Sequence, residues 1–380
     1  MVRSKLPNIS TSIFTIVTEL ATKHKALNLA QGFPDFYPPD ELIGLVEKYM
    51  RKGFNQYAPM QGLLKLREKI AIKTYDLYGQ EYNPDTEITI TSGATEAIFS
   101  CISAFIQEGD EVIVFEPAYD SYAPVIRING GNPIYVAAKL PDYKIDWEEV
   151  NKMVNARTRM IIINSPHNPS GSVMNHEGLE KLNKLVAGTK ILILSDEVYE
   201  HIVFEGHKHE SIAKYPILKD KSIIVSSFGK TYNATGWKLG YCIANEDITK
   251  EIRKIHQFNV FCVNTPLQYA IADFLDKKEA YLEIGAFYQQ KRDEFLKLIT
   301  GSKFTFTPSQ GTYFQLLSFK DISDEKDADF ANRLIKEYKI ASIPVSAFYH
   351  KAFDSKELRF CLAKNAETLK KAADILHKVK

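Results

Sequence analysis

The sequence predicts an α/β protein with a mostly parallel seven-stranded sheet covered by helices on both faces. Short apolar runs rich in β-branched residues recur at 88–91, 112–115, 134–138, 160–164, 191–194, 223–225 and 239–244. Most of these runs are separated by helix-length segments, and several are apolar at successive rather than alternate positions. Such runs are typical of parallel strands that are buried on both faces.

The pattern of predicted helices and strands changes after residue 275. Charged amphipathic helices alternate there with strand-like runs at 304–306, 312–316 and 359–362, a pattern that predicts a smaller α+β domain. We therefore expect a large domain at 46–275 and a small domain at 276–380. The N-terminal segment, 1–45, contains a helix-like stretch and a run dense in glycine and proline. That run indicates irregular structure.

Composition excludes several classes of protein. The 380 residues are 45% hydrophobic and 25% charged, as is usual for a soluble protein. A net charge of +1 offers no polyanion-binding surface, so we expect no nucleic-acid partner. No apolar run approaches the ~20 residues that cross a membrane. The cysteines lack the paired spacing of zinc or redox motifs, so we expect reduced thiols in a cytoplasmic protein. They are Cys101, Cys242, Cys262 and Cys361.

Lys230 stands between the last two apolar runs, in segment 222–241. Too few residues part these runs for a helical crossover, so we expect antiparallel strands joined by a short loop that carries Lys230. A lysine amine held in a partly desolvated pocket has a lowered pKa and can form an imine with an aldehyde. A single lysine is more often an ordinary surface residue. The residues around Lys230 therefore decide whether it is a reactive amine.

Ligands of open α/β sheets bind beyond the carboxyl ends of the strands. Gly93, Ala94 and Thr95 follow the first run and begin a helix, whose N-terminus suits a phosphate. The other polar or aromatic residues that follow such runs are Tyr119, Asn168, Asp196, Tyr199, Ser227 and Lys230. Taken singly, each is more often a turn or capping residue. Together they offer a phosphate site, an aromatic face and a carboxylate beside a reactive amine.

The lysine segment resembles the signature of the class I pyridoxal-phosphate aminotransferases. That signature has a serine three residues before the lysine, here Ser227 and Lys230, and then Gly-Trp-basic-Leu-Gly, here 236–240. Two further family blocks follow the family order, Pro-x-x-Asn-Pro-x-Gly at 166–171 and Asp-x-x-Tyr at 196–199. The basic residue is usually an arginine, whereas Lys238 offers a point charge without the two-pronged fork.

The resemblance covers nearly the whole chain and implies the fold type I architecture, with segment 1–45 packed on the small domain. It implies that Lys230 binds pyridoxal 5'-phosphate covalently. Asp196 would hold the proton of the pyridine nitrogen, and Tyr119 would cover the ring. Asn168 and Tyr199 would contact the ring oxygen. The phosphate would be bound by Gly93, Ala94, Thr95, Ser227 and Lys238.

On the substrate side, Arg359 is the one arginine between 341 and 380, and a bidentate arginine is the natural partner of an α-carboxylate. The resemblance implies that Arg359 binds this carboxylate with help from Asn168 and the backbone amide of Gly32. Phe33 and Phe261 are candidates for the side-chain pocket. The absence of arginine between 253 and 292 argues against a dicarboxylate pocket.

Within the family, the sequence is most similar to methionine aminotransferases and to kynurenine/glutamine aminotransferases. We therefore predict transfer of the amino group of an apolar, sulfur-containing or aromatic L-amino acid, methionine favoured, to a 2-oxo acid by a ping-pong mechanism. The alternatives are a kynurenine/glutamine aminotransferase with cysteine-conjugate β-lyase activity and, from another class, a cofactor-sensing regulatory domain. The family also implies a homodimer, in which Tyr57 contacts the cofactor phosphate of the neighbouring subunit.

Overall fold

Three β-sheets organise the computed structural model, which describes residues 3–7, 9–351 and 353–380. The strands are β1 (Leu27–Asn28), β2 (Ile88–Thr91), β3 (Glu111–Glu116), β4 (Asn132–Ala137), β5 (Thr158–Asn164), β6 (Leu192–Asp196), β7 (Ser222–Ser227), β8 (Gly240–Ala244), β9 (Phe314–Ser318), β10 (Ile340–Ala341), β11 (Ile343–Pro344) and β12 (Glu357–Cys361). The central sheet has the order β2-β8-β7-β6-β5-β3-β4. It contains all seven predicted strands and confirms the predicted fold class.

Helices cover both faces of this sheet and surround the smaller ones. They are α1 (Ile13–His24), α2 (Asp40–Arg51), α3 (Leu64–Tyr78), α4 (Gly93–Phe105), α5 (Tyr122–Ile128), α6 (Trp147–Met153), α7 (His176–Val186), α8 (Phe228–Thr231), α9 (Glu246–Asn259), α10 (Thr265–Phe274), α11 (Glu279–Leu282), α12 (Ile284–Ile299), α13 (Asp327–Arg333) and α14 (Ala366–Leu376). None of the helices in the described ranges combines the length and apolar character needed to cross a bilayer.

Burial on both faces explains the continuous apolar runs of the central strands. In β5, Ile161 and Ile163 pack into one core, with side chains of α3, α7 and α10. Met160 and Ile162 point the opposite way into a second core, with side chains of α4, α5 and α9. Because successive side chains of a strand alternate between faces, both faces of the sheet must be apolar here.

The strands on either side of Lys230 run antiparallel, as predicted. Ser227 of β7 pairs with Gly240 of β8, and β8 is also antiparallel to β2 at the edge of the sheet. The prediction of a loop for Lys230 is wrong in detail, because Lys230 lies in the single helical turn of α8. The backbone N–H of Tyr232 closes that turn on the carbonyl of Phe228 at 2.9 Å.

The C-terminal part holds a three-stranded antiparallel sheet, β11-β12-β9, packed against α12, α13 and α14. The predicted strand at 304–306 is wrong: only one isolated bridge forms there, between Thr305 and Ser318. Pro308, which has no N–H to donate, follows shortly and prevents a longer ladder.

The N-terminal segment is joined to this C-terminal part by backbone hydrogen bonds. Strand β1 pairs in parallel with β10, and the N–H of Cys361 donates to the carbonyl of Leu29 at 2.8 Å. These bonds hold the following residues, including Gly32, against the end of the central sheet. The domain boundaries at 45/46 and 275/276 stay predictions.

Candidate active site

A cavity of about 340 Å³ lies at the carboxyl ends of the parallel strands of the central sheet. Asn164 ends β5, Asp196 ends β6 and Ser227 ends β7, and all three side chains line the cavity. Parallel strands bring their carboxyl ends to one edge, so residues distant in sequence meet there. The volume falls within the range of about 300–1,000 Å³ that is typical of ligand pockets.

Lys230 projects from α8 into this cavity. Its Nζ lies 2.9 Å from the hydroxyl of Tyr313 and 3.5 Å from the carbonyl oxygen of Gly32. Burial lowers the pKa of the amine to about 8, because the charged form loses its hydration. A substantial fraction of the amine is therefore unprotonated near neutral pH, as a nucleophile or a base requires.

Asp196 is a buried carboxylate, 3% exposed, that lines the cavity. The hydroxyl of Tyr122 donates to its Oδ2 at 2.5 Å, and the backbone N–H of Val198 donates to its Oδ1 at 3.3 Å. Burial raises the pKa of this carboxyl to about 6, although the Tyr122 hydrogen bond opposes the shift. No lysine or arginine of the described residues forms an ion pair with Asp196, so it remains available to a cationic ring nitrogen.

The N-terminus of α4 also lines the cavity. Gly93 and Ala94 line it, and no side chain caps the helix, so N–H groups of the first turn remain available. Gly93 has a φ of 74°, and a Cβ there would lie 3.4 Å from Nζ of Lys238. Thr95 and Ser227 bring hydroxyls to the same place. A helix N-terminus with hydroxyls and a cation is an anion site.

Three further predicted side chains line the cavity: Tyr119, Asn168 and Tyr199. The hydroxyl of Tyr119 lies 3.5 Å from Oγ1 of Thr95. The ring of Tyr199 is centred 5.6 Å from the Lys230 amine. Burial raises the pKa of the Tyr199 hydroxyl, which therefore stays protonated and can donate a hydrogen bond.

Arg359 is only 1% exposed and lies behind Asn168, a residue that lines the cavity. Its Nη1 donates to Oδ1 of Asn168 at 2.7 Å and its Nη2 to the carbonyl of Ala30 at 3.0 Å. The guanidinium lies 3.9 Å from the ring centre of Phe314. Its Nε has no hydrogen-bond partner, and no carboxylate of the described residues lies within 4.0 Å of it. Burial lowers the pKa of Arg359 to about 10.

The remaining predicted residues divide into two groups. Gly32 and Phe33 line the cavity, and the side chain of Phe33 is 44% exposed. Tyr57 and Phe261 lie outside the cavity of this chain, on the surface. Tyr57 is 84% exposed, and its ring packs edge-on against Phe261 with centroids 5.5 Å apart.

The structure also brings in residues to which the sequence assigned no role. Tyr122 contacts Asp196, Tyr313 contacts Lys230, and Phe14 of α1 lines the cavity while its ring lies 5.2 Å from the Arg359 guanidinium. Tyr122 follows the end of β3, where ligands of such sheets bind, so its position in the sequence gave one indication. Tyr313 and Phe14 belong to no recognisable motif.

Comparison with known proteins identifies the family. Residues 24–376 match the sequence profile described as "Aminotransferase class I and II". The chain belongs to this family. As in its relatives, the cofactor of this aminotransferase is pyridoxal 5'-phosphate.

The aminotransferase is similar to proteins with assigned activities along its whole length. It is 45% identical to a methionine aminotransferase of Escherichia coli, covering 99% of this chain and 98% of that one. It is 35% identical to a kynurenine–oxoglutarate transaminase of Dictyostelium discoideum, covering 97% and 94%. A solved structure of an Escherichia coli protein identified as a methionine aminotransferase superposes with a TM-score of 0.97 at 45% identity, covering 100% and 99%.

The residues of the cavity fit pyridoxal phosphate. The uncapped α4 N-terminus with Lys238 suits a dianionic phosphate, and the unpaired Asp196 carboxylate suits a protonated pyridine. The Lys230 amine suits an aldehyde. Neither Asp196 nor Lys238 forms an ion pair with another described residue, so the protonated pyridine and the phosphate would supply their partners of opposite charge.

Proposed function

We propose that this aminotransferase takes the amino group of methionine and of other apolar, sulfur-containing or aromatic L-amino acids and passes it to a 2-oxo acid. The observation that carries the proposal is the buried Arg359 guanidinium without a carboxylate partner among the described residues. A buried charge without a partner is costly. The α-carboxylate shared by amino acids and 2-oxo acids would pair with it, which explains how one site serves both half-reactions.

The cofactor would be held by residues from several elements. Asp196 would bind the pyridine nitrogen, Tyr119 would contact a face of the ring, and Asn168 and Tyr199 would bind its oxygen. The phosphate would be bound by Gly93, Ala94, Thr95, Ser227 and Lys238, with Tyr57 of the partner subunit. When bound, pyridoxal phosphate binds the substrate amino group covalently and delocalises the electron pair left at Cα.

Lys230 would move the proton at the substrate Cα. Its amine must be unprotonated for this step, and with a pKa of about 8 roughly one amine in ten is so at pH 7. At the ordinary lysine pKa of about 10.4 the fraction would be about one in several thousand. Burial thus supplies a working base near neutral pH, while Arg359, Asn168 and the Gly32 backbone amide would fix the Cα beside it.

Side-chain selectivity would come from the lining of the cavity. Phe14 and Phe33 contribute apolar surface, and the charged residues that line it are Asp196, Lys230 and Lys238. We assign Lys230 and Lys238 to the cofactor, so a second carboxylate, as in aspartate, would be buried without a cation. A thioether or aromatic side chain would instead gain about 25 cal/mol per Å² of buried apolar surface. The similarity to a methionine aminotransferase supports this preference.

A kynurenine or glutamine aminotransferase with β-lyase activity is the second candidate. The aromatic lining and the similarity to kynurenine–oxoglutarate transaminases favour it. Both activities begin with removal of the Cα proton, so the same lysine would serve either. The two differ in whether a leaving group departs from Cβ.

The deciding experiment measures kcat/KM for methionine, phenylalanine, tyrosine, glutamine, kynurenine and aspartate with a fixed 2-oxo acid. We expect methionine and the aromatic donors to exceed aspartate. Aspartate at or above methionine would contradict the proposal. Release of pyruvate and ammonia from a cysteine conjugate, without any 2-oxo acid present, would identify β-elimination.

We further propose a cytoplasmic homodimer. The exposed, paired rings of Tyr57 and Phe261 support an interface at that surface. The four free cysteines support a reducing compartment. Sedimentation of the purified protein tests the dimer, and a monomer with full activity would contradict it.

A further inference from the structure

Tyr313 makes the closest polar contact of the Lys230 amine. It directly precedes β9 and is 1% exposed. Its hydroxyl lies 2.9 Å from Lys230 Nζ and donates to the carbonyl of Gly32 at 2.7 Å. Because the hydroxyl hydrogen is engaged with Gly32, a lone pair of the same oxygen is left to accept a hydrogen bond from the amine.

The ring of Tyr313 is held on three sides. It packs against Tyr199, Tyr288 and Phe314, with centroids 5.2, 5.4 and 5.0 Å away. The preceding residue, Thr312, has a φ of 65°, which is rare for a β-branched residue. Its backbone N–H donates to the carbonyl of Ile202 at 2.8 Å, which ties this strained turn to the segment after β6. The hydroxyl is therefore fixed in place.

We propose that Tyr313 is a positioning residue that holds the Lys230 amine whenever the lysine is not bound to the cofactor. The inference rests on the proposed function, in which the Lys230 amine, no longer bound to the cofactor, moves the proton at the substrate Cα. A lysine side chain has many rotamers, and a freed amine would spread over them. Tyr313 and the Gly32 carbonyl keep it at the cavity, in contact with the segment that would receive the substrate carboxylate.

The hydroxyl also bears on the protonation of the amine. The titratable or charged groups that face Lys230 are Asp196, Tyr199, Lys238, Tyr313, Arg359 and Cys361. Burial lowers the pKa of Lys230, and an accepting hydroxyl opposes that shift because it binds the ammonium form more strongly than the amine. Removing the hydroxyl should therefore lower the pKa of Lys230 further.

The test compares Tyr313→Phe with a matched control, Tyr288→Phe. Both tyrosines are buried, and each change removes one hydroxyl while keeping the ring. The Tyr288 hydroxyl donates to Oδ1 of Asn233 at 2.5 Å and does not contact Lys230. In the holoenzyme we expect Tyr313→Phe to lower kcat by roughly tenfold or more, the effect of losing one hydrogen bond to a charged group, with a nearly unchanged donor KM. Tyr288→Phe should leave both constants near wild type.

A second readout needs no catalysis. The pKa of Lys230 is measured in the cofactor-free protein by NMR titration of isotope-labelled lysine, with Lys230→Ala to assign the signal. We expect a lower pKa in Tyr313→Phe than in wild type and no change in Tyr288→Phe. An unchanged pKa overturns the proposal, even if kcat falls, and so does an equal effect of the control. If the wild type transfers no amino group, the proposed function fails, but this comparison still decides whether Tyr313 holds the amine.

Discussion

Replacing Arg359 with lysine tests how the site recognises its substrates. The guanidinium binds Asn168 and the carbonyl of Ala30 through two different nitrogens and stacks on Phe314. Lysine keeps the positive charge but has one compact ammonium in place of a planar fork. It can therefore make one strong contact with a carboxylate where arginine makes two parallel ones.

The expected decrease in kcat/KM follows from the loss of one hydrogen bond to the substrate carboxylate. A hydrogen bond between charged partners contributes about 1.5–3 kcal/mol. Losing one of two should lower kcat/KM by about 10- to 150-fold, since 1.4 kcal/mol corresponds to tenfold. Every donor carries the same α-carboxylate, so we expect the same factor for methionine and for phenylalanine, and their ratio should stay as in the wild type.

The assay measures kcat/KM for several donors in Arg359→Lys and in a control, Arg292→Lys. Arg292 also lies over an aromatic ring, with its guanidinium 4.5 Å from the centre of Phe204. Its polar partners Asp293 and Ser309 do not line the cavity, whereas Asn168, the partner of Arg359, does. Thermal unfolding and the visible absorbance of bound cofactor show whether each variant is folded and loaded.

Three results would refute the reasoning. If Arg359→Lys impaired aromatic donors but not methionine, Arg359 would be contacting side chains rather than the common carboxylate. If Arg292→Lys caused a similar loss, the effect would come from general disturbance of the C-terminal part. An unchanged kcat/KM for all donors would remove Arg359 from the substrate site altogether.

Three further predictions concern lysines. Lys230→Ala should abolish amino transfer and the visible imine absorbance while the circular dichroism stays unchanged; residual full activity would contradict its role. In the wild type, kcat should rise between pH 7 and 9, because the Lys230 amine loses its proton with a pKa of about 8; a flat profile would contradict this. Lys73→Met should destabilise the fold by about 3–5 kcal/mol in denaturant titrations, because it leaves Glu200 buried without the partner that now lies 2.6 Å away. Lys69→Met, which breaks a more exposed pair with Asp276, should cost about 1 kcal/mol or less.

Much of the fold could be predicted because the central strands are buried on both faces. Ile161, Ile162 and Ile163 must all be apolar in such a strand, and that requirement is visible in the sequence. The two-residue strands β10 and β11 were missed because so short a pairing depends on its partner rather than on a pattern of its own. The helical turn around Lys230 was mistaken for a loop because its glycine and hydroxyl residues favour turns.

Some residues of the candidate site could likewise be predicted from the sequence, and others could not. Asp196 and Asn168 could be predicted because they follow apolar runs, and parallel strands end at one edge. Tyr313 could not, because it reaches Lys230 from the small antiparallel sheet, through packing that no local pattern encodes. The expected contact of Tyr57 with a neighbouring subunit stays a prediction, since Tyr57 lies on the surface of this chain.

The pairing of β1 with β10 has a consequence for how the protein is made. Gly32 belongs to the site, yet the strand just before it pairs with residues near the opposite end of the chain. During synthesis, the central sheet can form around Lys230 and Asp196 before β10, the partner strand of β1, has been made. Domains generally fold as they emerge, but closing so long a loop comes late. The cofactor end of the site can therefore form first, whereas its substrate end is completed only once residues 340–341 have been made.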